Sequence, residues 1–574
     1  MTKNIVQRPR RWDEPFCNDM SDVLIDQVMS SLHFSKIKKT KFPTSLPLSE
    51  IIRNDCRVRN FQEDQLIINA GTYINSAFLI LSGTVTLVLA PGINPQAWGQ
   101  TQIAEPSVFS ALKKWMFQSK YPEVRAQAGA ATVKNISEAP AVRTIADIDD
   151  HVEQAGAETL MLQAGDLFGE SAVLGRTEMA NTVVSQGETQ ILEIRWQGLR
   201  DISKYDANFK QFIERLYRER GLYEHLLSVP LFRHLEKDKI RALADIALFE
   251  VHGEFEWQRS FKTASKQAKT DEDYNRLIKA EPVIAKEGDY PDGLLLIRNG
   301  FARVSRLINH GHYTLGHMAA DSLFGLQELY DSWSKGEPEP LRCSLRALGY
   351  TDIIRIPSKW LEHNVFAAEN ATELKVELEH SLHSPTKMAP ETNKQSSIID
   401  RKFTEFLVEN RLINGTQTMM IDLERCVRCD DCVTACANAH DNNPRFVRHG
   451  PTFDSYMIAN ACMHCDDPVC MIGCPTGAIH RSEDGVVVIN DTTCIGCSTC
   501  ANNCPYDNIR MVQIRGTDGQ LFTDQNSAPI VKATKCDLCS DVPGGPACAR
   551  ACPHDALVRI DVKETNTLAS WINR

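Results

Sequence analysis

Two stretches in the first half of the chain consist of short apolar runs separated by a glycine turn. Residues 77–89 (AFLILSGTVTLVL) have two apolar runs around a Ser-Gly pair, and residues 293–307 (GLLLIRNGFARVSRL) have two around an Asn-Gly pair. Apolar β-type runs broken by such a dipeptide are typical of β-hairpins. We therefore predict one hairpin in each stretch, with its turn at residues 82–83 and 299–300.

The similarity between these stretches extends to their surroundings. Residues 67–79 (IINAGTYINSAFL) are similar to residues 283–295 (VIAKEGDYPDGLL). Residues 164–174 (AGDLFGESAVL) are likewise similar to residues 319–329 (AADSLFGLQEL). Similar segments that recur in the same order indicate an internal duplication, so we predict two related β-domains.

The two repeats differ in length at one place. Gly83 and Gly169 are 86 positions apart, whereas Gly300 and Gly325 are 25 apart, so the first repeat carries an insertion at about residues 91–159. The insertion is rich in Ala, Gln and Pro. This composition predicts an irregular excursion with some helix.

These patterns divide the chain into six segments. Phe209, Phe212, Ile213 and Leu216 recur at helical spacing after the first repeat, which predicts an amphipathic helix that packs on its own domain or on a second copy. The predicted segments are an N-terminal arm (1–55), the first repeat with its insertion (56–200), a connecting helix (201–229), the second repeat (230–365), a helix and linker (366–405) and a cysteine-rich domain (406–574).

Composition and charge exclude several classes of protein. Lys and Arg number 63 against 74 for Asp and Glu, so the net charge of −11 disfavours nucleic-acid binding. No window approaches the roughly 18 apolar residues that a membrane-spanning helix needs. Arg10 and Arg11 are followed by acidic and polar residues instead of the apolar stretch of an export signal. We therefore expect a cytoplasmic protein without an integral membrane segment.

Sixteen of the nineteen cysteines fall between Cys426 and Cys552. In a large intracellular protein, such clustering indicates metal binding and not a disulfide framework. The cysteines form four motifs, namely Cys426-x2-Cys429-x2-Cys432-x3-Cys436, Cys462-x2-Cys465-x4-Cys470-x3-Cys474-Pro475, Cys494-x2-Cys497-x2-Cys500-x3-Cys504-Pro505 and Cys536-x2-Cys539-x8-Cys548-x3-Cys552-Pro553.

This spacing suits 4Fe–4S clusters. A loop with a cysteine every third residue can wrap one cubane and present three thiolates to it, while the fourth cysteine, where we expect a helix to begin, ligates a neighbouring cluster. Zinc also binds Cys-x2-Cys pairs. However, two of the motifs have three cysteines in consecutive steps, the spacing of bacterial ferredoxins. We therefore predict four clusters.

Residues from about 415 to 565 resemble the four-cluster iron–sulfur subunits of dimethyl sulfoxide reductase and formate dehydrogenase. The resemblance implies crossed pairing of the motifs, with two terminal and two inner clusters. The implied terminal sets are Cys426, Cys429, Cys432 and Cys552, and Cys536, Cys539, Cys548 and Cys436. The implied inner sets are Cys462, Cys465, Cys470 and Cys504, and Cys494, Cys497, Cys500 and Cys474.

Both repeats resemble the cyclic-nucleotide-binding β-barrel of catabolite activator proteins and cyclic-nucleotide-dependent kinases. In that family a Phe-Gly-Glu sequence precedes a helix that binds the cyclic phosphate, and an arginine pairs with the phosphate. The first repeat has Gly169 and Glu170, but Met179 stands at the arginine position, which leaves Arg176 as a substitute. The second repeat has Leu326 in place of the glutamate. We expect both repeats to be scaffolds, with a cyclic nucleotide as a possible but unfavoured ligand.

The expected fold is therefore multidomain α+β, with two jelly-roll barrels followed by a ferredoxin-like domain. The expected function, which the four clusters and the family resemblance imply, is electron transfer within an oxidoreductase complex. The sequence has neither a dinucleotide fingerprint nor a nucleophile motif, so we expect the substrate chemistry on another polypeptide. A partner subunit with a flavin, molybdenum or nickel–iron centre would hold the substrate site, and the barrels would dock partners or a second copy. The alternative is a regulatory protein that responds to a cyclic nucleotide or to cluster redox state.

Overall fold

The computed structural model describes most of the chain and leaves parts of the insertion and of the linker undescribed. The described residues are 5–89, 121–125, 143–144, 158–175, 177–217, 221–232, 235–253, 271–308, 311–349, 351–367, 403, 406, 407, 410–540, 544–562 and 565–572. Most of the predicted insertion and linker therefore lies outside the described residues.

The chain folds into two compact units. The first unit comprises Met1–Glu214 and Asn414–Glu564, and thus combines the first repeat with the cysteine-rich domain. The second unit comprises Arg215–Ile413 and Thr565–Arg574. The first repeat therefore packs with a domain that is distant in sequence.

The first repeat is one antiparallel sheet built around two strands of 14 residues. The strands are β1 (Cys56–Phe61), β2 (Gln65–Ile68), β3 (Ser76–Leu89), β4 (Arg143–Thr144), β5 (Glu158–Gln163), β6 (Leu167–Phe168) and β7 (Thr182–Arg195). Strand β3 pairs with β5, β6 and β7, while β7 also pairs with β1 and β2. Their inward side chains form a buried apolar core that includes Phe78, Phe168 and Val183.

The hairpin predicted at residues 82–83 is wrong. Strand β3 runs through this site without reversing, and its pairing with β7 shifts register on both sides of Ser82. Gly83 has a φ of +86° in the left-handed region that favours glycine. A β-bulge therefore bends one long strand where the sequence suggested a turn.

The second repeat has two four-stranded antiparallel sheets, ordered β13-β10-β15-β8 and β12-β11-β14-β9. The strands are β8 (Leu248–His252), β9 (Val283–Ala285), β10 (Gly293–Asn299), β11 (Ala302–Ile308), β12 (Gly311–Met318), β13 (Leu323–Phe324), β14 (Ser344–Ala347) and β15 (Thr351–Pro357). Apolar side chains from both sheets share one core, which includes Leu295, Val304 and Leu345. Strand pairing does not close either repeat into a barrel among the described residues.

The second predicted hairpin is also wrong, because β10 and β11 belong to different sheets and do not pair. Gly300, with a φ of +87°, lies at the corner where the chain crosses between the sheets. Its place matches that of Gly83, since Leu295 pairs with Phe324 as Phe78 pairs with Phe168. The two repeats thus share their strand arrangement, and the long strand of the first is divided in the second.

Helices flank both repeats. In and next to the first repeat these are α1 (Asp22–Ser30), α2 (Leu48–Asp55), α3 (Glu170–Gly175), α4 (Trp196–Tyr205) and α5 (Ala207–Leu216). In the second unit they are α6 (Leu222–Ser228), α7 (Lys237–Ile246), α8 (Asp271–Ala280), α9 (Leu326–Lys335) and α10 (Ser358–Leu361). The apolar face of α5 packs on its own chain, where Phe212 stacks on His33 at 4.0 Å and Phe209 contacts Phe34.

The cysteine-rich domain combines small sheets with four short helices. Its strands are β16 (Thr418–Asp422), β17 (Thr452–Phe453), β18 (Tyr456–Ile458), β19 (Ile479–Arg481), β20 (Val487–Ile489), β21 (Arg510–Gln513), β22 (Val531–Thr534) and β23 (Leu557–Ile560). Its helices are α11 (Asp431–Ala439), α12 (Val469–Ile472), α13 (Thr499–Asn503) and α14 (Ala547–Arg550). Helix α15 (Thr565–Ile572) follows in the second unit. Among the described residues, no helix has the length and apolar character needed to cross a membrane.

Candidate metal centres

Each of the four cysteine motifs consists of a loop followed by one short helix. The third cysteine of every motif lies in the first turn of this helix, and the fourth lies four positions further along the chain. In α11, for example, Cys432 and Cys436 are both helical and buried. The expectation that a helix begins at the fourth cysteine is therefore wrong by one turn.

The loops share an unusual backbone conformation. The residue before the second cysteine has a positive φ in all four motifs, and these residues are Arg428 (61°), His464 (47°), Gly496 (69°) and Leu538 (60°). Non-glycine residues rarely adopt this conformation, which in successive residues turns backbone N–H groups into one concavity that favours anions. The four loops thus share one left-handed turn directly before the second cysteine.

The cysteines gather in groups that combine two motifs, and the interactions that shift the pKa of a buried thiol identify its neighbours. Burial, followed by the nearby Cys494, Cys474 and Cys497, raises the pKa of Cys500 to about 12. Burial raises the pKa of Cys465 well above its usual range, and Cys462, Cys470 and Cys504 raise it further. Each of these neighbourhoods combines three cysteines of one motif with the fourth cysteine of another.

Cysteines of the first and fourth motifs are combined in the same way. Burial raises the pKa of Cys548 to about 12, and its cysteine neighbours are Cys536, Cys436 and Cys539. Burial also raises the pKa of Cys432, and its cysteine neighbours are Cys426 and Cys552. Helices α11 and α14 are in contact, as are α12 and α13. These helix pairs bring the first motif to the fourth and the second to the third.

Two of the groups line small cavities. Cys474, Cys494, Cys497 and Cys500 line one cavity. Cys462, Cys465, Cys470 and Cys504 line another. Crowded, buried thiols with raised pKa values need a cation to become thiolates, and iron supplies that charge. The donor sets therefore fit iron–sulfur clusters.

The groups that hold Cys536 and Cys462 lie next to each other, and Arg559 bridges them. Arg559 Nη2 donates to Cys536 Sγ at 3.0 Å, while Nη1 donates to the carbonyl oxygen of Cys462 at 3.0 Å. Cys429 and Cys497, by contrast, are exposed members of the other two groups. Arg559 thus joins the Cys536 and Cys462 groups, whereas the exposed cysteines belong to the Cys426 and Cys494 groups, and this arrangement differs from the order that the resemblance implies.

Buried lysine and arginine side chains donate hydrogen bonds to backbone carbonyl oxygens of the cysteine loops. Lys532, which is fully buried, donates from Nζ to the carbonyl oxygens of Asp491 (2.7 Å) and Cys494 (2.6 Å). Lys535 Nζ donates to the carbonyl oxygen of Cys536 at 2.8 Å. Arg481 Nη2 donates to that of Cys465 at 2.7 Å. Three of the four groups thus have a cation close to a ligand loop.

A histidine lies between two ligands of the Cys536 group. His440 Nδ1 is 2.8 Å from the carbonyl oxygen of Cys436, and Nε2 is 2.9 Å from Asp537 Oδ1. Burial lowers the pKa of His440, but hydrogen bonds with Asp537, Cys436 and Cys539 outweigh burial and leave the pKa above its ordinary value. The imidazole and the carboxylate thus form a hydrogen-bonded pair beside the ligand loop.

The first repeat contacts the cysteine-rich domain close to the second motif. Arg200 Nη1 donates to the carbonyl oxygen of Ile472 at 2.8 Å, and Arg195 Nη1 to that of Thr476 at 3.2 Å. Asn75 Nδ2 donates to the carbonyl oxygen of Arg481 at 2.7 Å. These contacts flank Cys474, so the first repeat braces a ligand-bearing loop of its own chain.

The residues singled out for a cyclic nucleotide do not form a described site. Gly169 has a φ of +79° and Glu170 is buried at the start of α3, whereas Arg176 lies outside the described residues. Met179, at the position of the family's arginine, is part of the apolar core. Nucleotide binding stays a prediction that the sequence disfavours.

The geometry of the cysteines defines an iron–sulfur protein, and sequence comparison identifies its family. The 4Fe-4S dicluster domain family matches residues 453–562. The electron transport protein HydN of Escherichia coli K12 is 33% identical over 165 residues, which cover 26% of this chain and 92% of HydN. The B subunit of anaerobic dimethyl sulfoxide reductase from the same organism is 35% identical over 158 residues, which cover 24% of this chain and 69% of the relative. The protein therefore belongs to the 4Fe–4S dicluster family.

The repeats are similar to cyclic-nucleotide-binding domains of known structure. The regulatory domain of Toxoplasma gondii PKA with cAMP is 12% identical, and the match covers 63% of this chain and 97% of that domain with a TM-score of 0.21. The sensor domain of the regulator DNR from Pseudomonas aeruginosa is 11% identical, and the match covers 31% and 99% with a TM-score of 0.22. At these scores the likeness supports no statement about a ligand.

Sequence reasoning missed the charged groups around the cysteines. Lys535 is adjacent to Cys536 in sequence, so a buried cation next to a motif was a usable signal. Arg559 lies 23 positions from Cys536, and only the pairing of β23 with β16 brings it to the group. A contact of this kind depends on the fold and has no local signature.

Proposed function

We propose that this chain is an electron-transfer subunit that relays electrons through four 4Fe–4S clusters between partner subunits of an oxidoreductase complex. The observation that carries the proposal is that buried thiols of the four motifs lie beside cysteines of a second, paired motif. A 4Fe–4S cluster supplies one-electron redox chemistry when bound. The family relationship and the electron-transport role in the name of HydN support the proposal.

Each cluster would have three ligands from one motif and one from its paired motif. The proposed sets are Cys426, Cys429, Cys432 and Cys552; Cys536, Cys539, Cys548 and Cys436; Cys462, Cys465, Cys470 and Cys504; and Cys494, Cys497, Cys500 and Cys474. The cysteine neighbours of Cys432, Cys465, Cys500 and Cys548 support this assignment, because for these four thiols they all come from the same set as the thiol itself.

The proposed order of the clusters runs from the Cys426 set through the Cys536 and Cys462 sets to the Cys494 set. Arg559, which contacts both Cys536 and Cys462, supports the adjacency of the inner pair. The exposed Cys429 and Cys497 support the two ends as the sites of electron exchange with partners. A chain with two ends suits a relay between two partners.

The substrate would bind to another polypeptide that holds a flavin, molybdenum or nickel–iron centre. The relative from dimethyl sulfoxide reductase is by its name one component of a reductase, which supports a role within such a complex. The first repeat would brace the cluster domain through Arg195, Arg200 and Asn75, and the second repeat would serve as a docking scaffold.

Coulometric titration of the anaerobically purified full chain tests the proposal. Four one-electron clusters predict an uptake of about four electrons per chain between the oxidised and reduced states. If the wild-type chain takes up no electrons between its oxidised and its reduced state, the electron-transfer role is contradicted. The Cys429→Ser variant provides a control, because it alters a ligand at an exposed end and should affect one cluster while the other three still titrate.

A further inference from the structure

Five residues of the insertion, residues 121–125, lie against the cluster domain, and we call them the strap. The backbone of the strap is joined to the backbone of that domain by three hydrogen bonds. Glu123 N donates to the carbonyl oxygen of Asp441 at 3.0 Å, and Arg515 N donates to that of Glu123 at 3.0 Å. Arg125 N donates to the carbonyl oxygen of Arg515 at 2.8 Å. The strap thus forms a short parallel bridge with the domain, centred on Val124 and Arg515.

The Glu123 carboxylate is the centre of a buried ionic network. Its side chain is 4% exposed. Oε1 accepts from Arg445 Nη1 at 2.8 Å and from Asn443 Nδ2 at 2.7 Å, and Oε2 accepts from Arg125 Nη2 at 2.7 Å. Burial raises the pKa of Glu123, but the two guanidinium groups outweigh burial and hold the pKa below its usual value. The carboxylate is therefore ionised and holds two residues of one loop.

That loop, residues 441–445, donates a hydrogen bond to a cluster ligand. Arg445 N donates to Cys436 Sγ at 3.2 Å. Hydrogen bonds to ligand sulfur are one of the features that set the potential of an iron–sulfur cluster, and they raise it because they stabilise the more negative, reduced state. Glu123 thus holds, from 322 positions away in sequence, the residue whose amide contacts Cys436.

Arg125 makes the corresponding contact with the third motif. Its guanidinium forms an ion pair with Asp491, and both side chains are about nine-tenths buried. The carbonyl oxygen of Asp491 accepts from Lys532 Nζ, which also donates to the carbonyl oxygen of Cys494. The guanidinium therefore holds the segment that leads into the third ligand loop.

We propose that the strap is a positioning element through which the first repeat sets the outer environment of two clusters. Glu123 fixes the 441–445 loop so that Arg445 N–H points at Cys436, and Arg125 fixes Asp491 beside Cys494. The inference rests on the proposed function, because it presupposes clusters at these cysteines. It assigns a role to an insertion whose sequence has no cysteine, and it makes a β-domain part of the cluster environment.

Two variants of Glu123 separate the charge of the carboxylate from its positioning role. Glu123→Gln removes the charge and keeps an oxygen that accepts from Arg445 or Asn443, whereas Glu123→Ala removes both. Because the two variants lose the same charge, we expect the cluster ligated by Cys436 to have a lower midpoint potential in Glu123→Ala than in Glu123→Gln. Anaerobic potentiometric titration of the full chain, followed by EPR, measures this difference, and Cys436→Ser identifies the signal.

Hydrogen–deuterium exchange of the loaded protein localises the effect. Glu123→Ala is expected to increase exchange over residues 441–446, and Arg125→Met over residues 490–497. Glu188→Gln, an exposed change in the same repeat, is the matched control and should alter neither exchange nor potential.

The outcomes separate the two proposals. Equal midpoints in Glu123→Ala and Glu123→Gln overturn the strap proposal, as does an equal shift of every cluster. The strap proposal is also overturned if Glu123→Ala lowers thermal stability and leaves every cluster potential unchanged, because Glu123 would then have only a structural role. A wild-type protein that binds no iron contradicts the proposed function instead, and iron content is measured on every sample first.

Discussion

Replacing Arg559 with methionine is expected to lower the midpoint potential of the cluster that we assign to Cys536. Arg559 Nη2 lies 3.0 Å from Cys536 Sγ, so the variant loses both a hydrogen bond to ligand sulfur and a nearby positive charge. Positive charge stabilises the reduced cluster, which is more negative than the oxidised cluster. The variant should therefore be harder to reduce.

The size of this shift follows from Coulomb's law. A unit charge about 6 Å from the cluster centre contributes about 3 kcal/mol at an effective dielectric constant of about 20. This energy corresponds to about 120 mV for one electron, because 59 mV is equivalent to about 1.4 kcal/mol. Arg559 is partly exposed and solvent ions screen its charge, so we expect a fall of about 60 to 120 mV.

EPR-monitored potentiometric titration of the full chain under anaerobic conditions measures the shift. Arg559→Lys keeps the positive charge but loses the planar guanidinium with its paired N–H donors. The midpoint potential of this variant should therefore lie between those of the wild type and Arg559→Met. Arg550→Met removes a charge from an exposed position of the same domain and serves as the control. Unchanged midpoints in Arg559→Met, or an equal shift in Arg550→Met, would refute the reasoning.

Three further predictions test the ligand sets, the loop geometry and the repeats. Cys426→Ser and Cys552→Ser should each disturb the same EPR signal, and independent losses would contradict their pairing. Gly496→Ala should reduce cluster content and stability, because its Cβ would collide with the carbonyl oxygen of Val531. Gly187→Ala, with a similar φ but open space around it, should cost only the left-handed strain of about 1–2 kcal/mol, and equal losses in thermal unfolding would argue against the collision. Calorimetry with cyclic AMP and cyclic GMP should give no binding heat, and micromolar binding would favour the regulatory alternative.

The four ligand sets that cysteine spacing and family resemblance imply stay a prediction, and the cysteine neighbours of Cys432, Cys465, Cys500 and Cys548 belong in each case to the same implied set as the thiol itself. The order of the groups cannot be read from cysteine spacing, because it depends on how the two halves of the domain pack. The contact of Arg559 with both inner groups arises from that packing and has no counterpart in local spacing.

The duplication was predictable, but its local geometry was not. Similar segments recur in the same order in both repeats, and the strand pairings follow the same plan. A glycine with positive φ occurs in hairpin turns, in bulges and at sheet corners, so Gly83 and Gly300 were compatible with all three. Long-range pairing with β7 decided in favour of a bulge at Gly83.

The contacts of the strap could not have been predicted from sequence. Glu123 lies in an insertion without regular periodicity, 322 positions from Arg445, and its ion pairs form only after the first repeat and the cluster domain pack together. The same holds for the hydrogen bonds that the first repeat makes to the cysteine-rich domain through Arg195, Arg200 and Asn75, because they too join segments that are distant in sequence. From sequence alone, polar residues in an irregular segment are expected to be exposed to solvent, because their partners are brought close only by the tertiary fold.

The central claim is that the four cysteine groups hold iron–sulfur cubanes, and metal analysis tests it most directly. The full chain, purified or reconstituted under strict anaerobiosis, is expected to be brown and to contain about sixteen iron and about sixteen acid-labile sulfide per chain. A colourless protein with zinc at its cysteines, or with no metal under the same conditions, would contradict the account.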